Sequence, residues 1–233
     1  MSLYPRVVPF GEAALLVELA TEPELGANAR VHALARALRE RPPAGLRTLI
    51  PGAVSLLVEL DPLDASIASV ATLLEQQLRQ LEATPAPAGG RLRTLPTVYG
   101  GAFGPDLEDV ATRLQMRPED VIRRHTACEQ RVYMLGFSPG FPYLGDLPPE
   151  LALPRRDRPR QRVPLGSVAI AGRQTGVYSR ETPGGWHLLG RTPVLLFDEH
   201  RDPPAYLGPG DRVRFVAIEA SAWDRHTGAP ADW

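Results

Sequence analysis

A chain of 233 residues, 43% hydrophobic and 23% charged, has the composition of an ordinary soluble globular protein and enough length for one large domain or two small ones. Its formal net charge of −1 supplies no global field toward nucleic acid or a membrane, so neither is expected as a partner. All 26 basic residues are Arg, which excludes a Schiff-base lysine and a P-loop, and the one cysteine excludes an intramolecular disulfide and a thiolate-rich metal site.

The first residues, Met1 to Arg6, contain no apolar signal core, and no stretch of about 18 apolar residues occurs later, so a cytoplasmic protein is expected. Residues 1–83 read as a small α+β domain. Short strands are expected at 7–10 and 14–19 around a turn at Gly11 and Glu12. A helix follows, with Thr21 and Glu24 at capping-box spacing, Val31, Leu34, Ala35 and Leu38 on one face, and Pro42 and Pro43 as the stop. The runs 46–50 and 54–60 flank Pro51, Gly52 and Ala53 as a hairpin. Asp64 opens a second helix whose stripe is Ile67, Val70, Leu74, Leu78 and Leu81. The order ββαββα implies two helices on a small sheet.

Residues 84–90 are small, uncharged and rich in Pro and Gly, the composition of a linker. The second domain, 91–220, begins with a strand at 92–99 and two short helices at 106–114 and 118–129, with Asp106 as N-cap and Pro118 in a first turn. Thereafter short apolar runs at 132–137, 168–171, 187–190, 194–197 and 212–218 are cut by Pro and Gly, the pattern of a mainly-β barrel or sandwich. Residues 221–233 are expected to be a C-terminal tail. Cys128, among polar residues of a helix, reads as a half-buried, inert thiol.

Residues 136–140, GFSPG, fit the G-x-S-x-G pattern of a nucleophile elbow, but the residue after the serine is Pro139. It has no N–H to give to an oxyanion hole, which rejects that chemistry. The same loop spaces Phe137, Phe141 and Tyr143 among turn formers. It is either a flat apolar wall for a small planar ligand or partner, or a packed loop that closes the barrel. Gln174 and Thr175 follow an apolar run and offer an amide and a hydroxyl. Residues 181–186 read as a turn, with Trp186 as pocket wall or core. Arg155, Arg156, Arg158, Arg160 and Arg162 form a solvated or partner-facing loop. His125, near Arg123, Arg124 and Arg131, is either a general base or orienting donor, or a solvent-exposed or structural histidine. The remaining histidines lack metal-ligand spacing, and no bound metal is expected.

The segments 99–101 (YGG), 104–107 (GPDL), 131–145 (RVYMLGFSPGFPYLG), 163–172 (VPLGSVAIAG), 174–178 (QTGVY), 183–186 (PGGW) and 189–193 (LGRTP) together resemble the family of 5-oxoprolinase B subunits. This family is also called allophanate hydrolase subunit 1 and includes a Kip-type inhibitor of a sporulation sensor kinase. The resemblance is strongest over 91–218. It implies an α+β N-terminal domain followed by a mainly-β cyclophilin-like barrel. It also implies a heteromeric hydrolase in which A-type and carboxyltransferase-like C-type subunits join this chain to open 5-oxo-L-proline to L-glutamate at the expense of ATP. ATP would be bound by a partner subunit, with no cofactor on this chain, and the isolated chain would be inactive. The site residues it suggests are Gln174, Thr175 and Tyr178 as polar contacts, and Phe137, Tyr143 and Trp186 as walls. Arg131 and Arg191 would meet a carboxylate or acyl phosphate, with His125 as acid/base group. A urea- or allophanate-handling carboxyltransferase component and a sensor-kinase inhibitor stand as alternatives.

Overall fold

The computed structural model describes residues 4–82, 90–228 and 230. The chain divides into two compact units, Met1–Ala88 and Gly89–Trp233. The expected linker, apart from Gly90, lies outside the described residues.

The first unit runs β1 (Arg6–Pro9), β2 (Ala14–Glu18), α1 (Leu25–Glu40), β3 (Leu46–Pro51), β4 (Ser55–Leu60) and α2 (Ile67–Glu82). The strands pair antiparallel in the order β1-β2-β4-β3. Strand alternation puts Leu15 and Val17 of β2 beside Leu56, Val58 and Leu60 of β4. The α1 stripe of Val31, Leu34, Ala35 and Leu38 and the α2 residues Val70, Leu74 and Leu78 join them in one buried cluster. Each of the larger side chains contributes roughly 1.5–3 kcal/mol by leaving water. Both helix starts differ from the sequence expectation. Glu24 is the N-cap of α1 and makes no side-chain capping bond, so Thr21 and Glu24 do not form a capping box. Asp64 does not open α2. Its N–H donates to the Asp61 carbonyl in a preceding turn, and Ser66 Oγ accepts the Ser69 N–H instead.

The second unit contains β5 (Leu92–Tyr99), α3 (Leu107–Arg113), α4 (Pro118–Ala127), β6 (Glu129–Leu135), β7 (Pro142–Gly145), β8 (Arg160–Val163), β9 (Ser167–Ala171), β10 (Gln174–Val177), β11 (Thr182–Gly184), β12 (His187–Arg191) and β13 (Arg212–Ala217). Seven of these strands close into a barrel, β10-β7-β6-β13-β5-β12-β9, while β8 and β11 pair as a separate ribbon. The β5–β13 pair is parallel. Leu95, Val132, Leu144, Val168, Val177, Val213 and Phe215, drawn from six of the seven strands and β13 twice, share one core. A second cluster packs Val110 of α3 and Val121 of α4 against Ile170 and Leu189.

Three expectations need correction here. Residues 194–197 form no continuous strand, because Val194 bridges to Gly228 and Phe197 to Ala205; the partner changes before a ladder can build. Residues 182–184 are not a free turn but β11, paired with β8. Residues 221–226 belong to a 3-10 helix, Ala220–His226, whose Trp223 ring lies 5.0 Å from that of Phe103. Among the described residues, no helix is long and apolar enough to cross a membrane.

Candidate functional site

Strand β10 is the spine of the candidate site, because its alternation sends neighbouring residues to opposite faces of the barrel wall. Thr175 and Val177 point one way, and Val177 joins the core shared by the barrel strands. Gly176 lies on the opposite face, where an added Cβ would sit 2.6 Å from the Phe141 ring and 3.0 Å from Trp186. Glycine is required at this position by the close approach of two aromatic rings. Gln174 shares that face by strand spacing, is half-buried and makes no side-chain hydrogen bond among the described residues.

The outer face carries an aromatic cluster. Phe141 makes edge contacts with Phe137, Tyr143, Tyr178 and Trp186 at ring separations of 5.4, 5.0, 5.2 and 5.9 Å. Such edge-to-face arrays are favourable beyond their burial. Phe141, Tyr178 and Trp186 are buried and form the lower layer. Tyr178 and Trp186, expected as a polar contact and a wall, are therefore packed supports. Phe137 is the exception at 62% exposure, and its φ of +65° lies in the left-handed region that a Cβ-bearing residue enters at a cost. The loop holds it there with two backbone bonds, Gly136 N–H to the Phe141 carbonyl and Phe141 N–H to the Ser138 carbonyl. Ser179 Oγ adds a 2.6 Å bond to the Pro139 carbonyl. The loop is a packed closure that leaves one aromatic ring, Phe137, at the surface.

Thr175 faces His125 instead of the aromatic side. His125 is fully buried, with Nδ1 2.8 Å from the Tyr99 hydroxyl, Nε2 3.2 Å from Thr175 Oγ1, and its ring 4.6 Å from that of Phe215. A neutral imidazole serves both bonds, one ring nitrogen donating and the other accepting, and the Gln130 amide nitrogen lies 3.4 Å from Nε2. Burial pushes its pKa down to about 3 and pushes the Tyr99 phenol well above its ordinary value. This arrangement suits a fixed anchor between α4 and the barrel and disfavours proton exchange with a ligand. The neighbouring arginines turn away, Arg123 to Asp120 and Arg124 to Glu150. Cys128 is half-buried, and burial raises its thiol pKa.

Arg131 and Arg191 make no ion pair or ring contact with the aromatic cluster among the described residues. Arg131 Nη1 donates to the Gly210 carbonyl at 3.3 Å. Arg191 Nε donates to the Leu165 carbonyl at 2.6 Å, and its guanidinium lies 5.3 Å from the Trp223 ring centroid.

Sequence reasoning missed Asp106 as more than a helix cap. Its carboxylate makes no cap bond. It is buried, and it accepts Arg156 Nη1 at 2.8 Å, both terminal nitrogens of Arg160 at 2.9 and 2.6 Å, and the Leu188 N–H at 2.7 Å. Charge-assisted bonds of this kind are the strong ones. The arginine-rich segment is therefore tied down at its middle; Arg162 pairs with Glu181 nearer the surface. Among the described residues no cluster of three or more His, Cys, Asp or Glu could hold a metal ion. A cleft of about 590 Å³ lined in part by Leu92, Arg93, Tyr206, Val216 and His226 includes none of the expected site residues.

The sequence matches the family described as carboxyltransferase domain, subdomain C and D, over residues 5–207. The protein named as the B subunit of 5-oxoprolinase from Bacillus subtilis (strain 168) is 41% identical over 228 residues, covering 94% of this chain and 95% of its own. The protein of the same name from Escherichia coli O157:H7 is 43% identical over 211 residues, covering 91% and 95%. Among solved structures, TTHA0988 superposes with a TM-score of 0.77 at 40% identity over 89% of this chain, which spans 40% of the length of TTHA0988. The urea amidolyase of K. lactis shares the fold with a TM-score of 0.76 at 20% identity, over 94% of this chain and 15% of its own.

Proposed function

The chain belongs to the family of 5-oxoprolinase B subunits, and from that premise we propose that it is the B-type component of an ATP-dependent 5-oxoprolinase that opens 5-oxo-L-proline to L-glutamate. The observation that carries the reading is 41–43% identity to proteins of that name across more than nine-tenths of the chain. The geometry supports a binding role: an edge-packed aromatic cluster with one ring, Phe137, presented to solvent offers apolar surface to a small lactam. The face itself offers hydroxyls and an amide, while the histidine behind it is sealed off. Chemistry at the lactam carbonyl is therefore assigned to A-type and carboxyltransferase-like C-type partner subunits, and the isolated chain is inactive.

An unstrained five-membered lactam is a poor electrophile, which gives ATP its purpose. A chain without lysine has no P-loop to hold the triphosphate, which supports a reading with ATP on a partner and no cofactor or metal on this chain. The complex is assigned to the cytoplasm. The closed barrel supports a cyclophilin-like description of the second unit, without prolyl isomerase activity, since fold does not fix function. Likeness to urea amidolyase at 20% identity supports the shared fold alone.

The test is a leave-one-out reconstitution with the genomically adjacent partner subunits. Glutamate should form from 5-oxoproline only when ATP and all the subunits are present. Urea-dependent carboxyl transfer by the same complex, with no glutamate, would replace this reading with the carboxyltransferase one.

A further inference from the structure

Of the five arginines at 155–162, three are committed within the chain: Arg156 and Arg160 to Asp106, and Arg162 to Glu181. Arg155 is exposed and has no carboxylate within ion-pair distance among the described residues. Its backbone is nonetheless fixed on both sides. The Gly172 N–H donates to the Leu153 carbonyl at 2.6 Å, His187 Nε2 to the Pro154 carbonyl at 2.9 Å, and the Arg156 N–H to the Gly185 carbonyl at 2.8 Å. Gly172 lies two residues before Gln174, and Gly185 immediately precedes Trp186, so these bonds stitch the segment along the rim of the aromatic face.

The charge reaches that face. Burial raises the phenol pKa values of Tyr143 and Tyr178, and the positive field of Arg155 opposes the rise at both. Arg158 instead borders a separate surface cleft with Asp109 and Asp157, and the field of Arg173 acts on Tyr133. A free guanidinium on an immobilised backbone is a preorganised carboxylate receptor, because the fork needs little further ordering to make two parallel bonds.

We infer that Arg155 is the residue of this chain that binds the substrate's carboxylate, in place of Arg131 and Arg191, whose guanidiniums are held at Gly210 and at Leu165 with Trp223. The inference rests on the oxoprolinase reading: 5-oxoproline is a small lactam ring, planar at its amide, bearing one carboxylate. The ring lies against the aromatic face and the carboxylate meets the arginine at its edge.

The experiment compares the assembled complex containing wild-type chain, Arg155→Ala or Arg155→Lys. It measures KM and kcat for ATP-dependent glutamate release, and inhibition by 2-pyrrolidinone, the same ring without the carboxylate. Arg155→Ala should raise KM for 5-oxoproline about 10- to 100-fold, the loss expected for a charge-assisted pair. The inhibition constant of 2-pyrrolidinone should stay within about twofold, and Arg155→Lys should recover part of the loss. Unchanged KM in Arg155→Ala would overturn the inference while leaving the oxoprolinase reading intact. Equal weakening toward both compounds would also overturn it, since the residue would then act on the ring or the assembly. Absence of glutamate from the wild-type complex would remove the reading itself.

Discussion

His125 illustrates how the environment decides what a residue does. In sequence it stands among arginines near a helix end, a setting that leaves a general base, a solvent-exposed group and a structural one all open. In the structure it is buried between Tyr99, Thr175 and Phe215, with its proton affinity depressed. The signal was present in the spacing: Val121 and His125 are four apart, on the buried side of α4. The sign of the pH effect follows from the shift. The folded protein holds the imidazole neutral down to about pH 3, whereas the unfolded chain protonates it below about 6.5. Its contribution to stability is complete above pH 6.5 and is lost as pH falls from there toward 3. The slope is about 1.4 kcal/mol per pH unit, or ~2 kcal/mol by pH 5. Urea unfolding of wild type and His125→Asn at pH 7 and pH 5 checks this. The variant should lose about 2 kcal/mol less between the two pH values, and equal losses would contradict the account.

Legibility differed from element to element for a physical reason. Helices α1 and α2 and strand β5 were readable because stripes or strand-forming runs of eight or more residues accumulate a signal. Strands β7, β8, β10 and β11 have three or four residues each and contain Pro or Gly in three of four cases. Their conformation is imposed by pairing partners across the barrel and ribbon. The arginine segment makes the same point through Asp106, 50 and 54 residues from its partners. Replacing Asp106 with Ala leaves two guanidiniums and the Leu188 N–H without their acceptor. Stability should fall on the order of 3 kcal/mol, the low end for breaking a buried pair because both arginines keep some solvent. A shift of the urea midpoint at unchanged slope measures it; a loss below about 0.5 kcal/mol would show that the segment is held by its backbone bonds alone.

At the scale of the whole molecule, the two units differ in how much the chain order discloses. The first unit is built from neighbouring hairpins and helices, so local pattern and final architecture coincide. The barrel includes the parallel pairing of β5 with β13, Arg212 opposite Leu92, which joins the first and last strands of the second unit. That pairing is why the sequence left barrel and sandwich open. It also explains the candidate site: the aromatic residues were legible as a set, but which are buried supports and which is presented depends on closure around Gly176. The arginines expected to face the ligand are directed elsewhere, and Arg155 was read only as part of a solvated or partner-facing loop. Phe137 offers the most direct test of the proposal that this presented face works in a heteromeric oxoprolinase. Glycine takes a φ of +65° without the Cβ penalty, which offsets part of the lost edge contacts with Phe141 and Tyr178, so Phe137→Gly should leave the chain folded. The measurement is the rate of ATP-dependent glutamate release from 5-oxoproline by the complex assembled with wild-type or Phe137→Gly chain. A fall of on the order of 10-fold or more is expected for loss of an anchoring aromatic ring. An undiminished rate, or the same rate with this chain left out, would contradict the account.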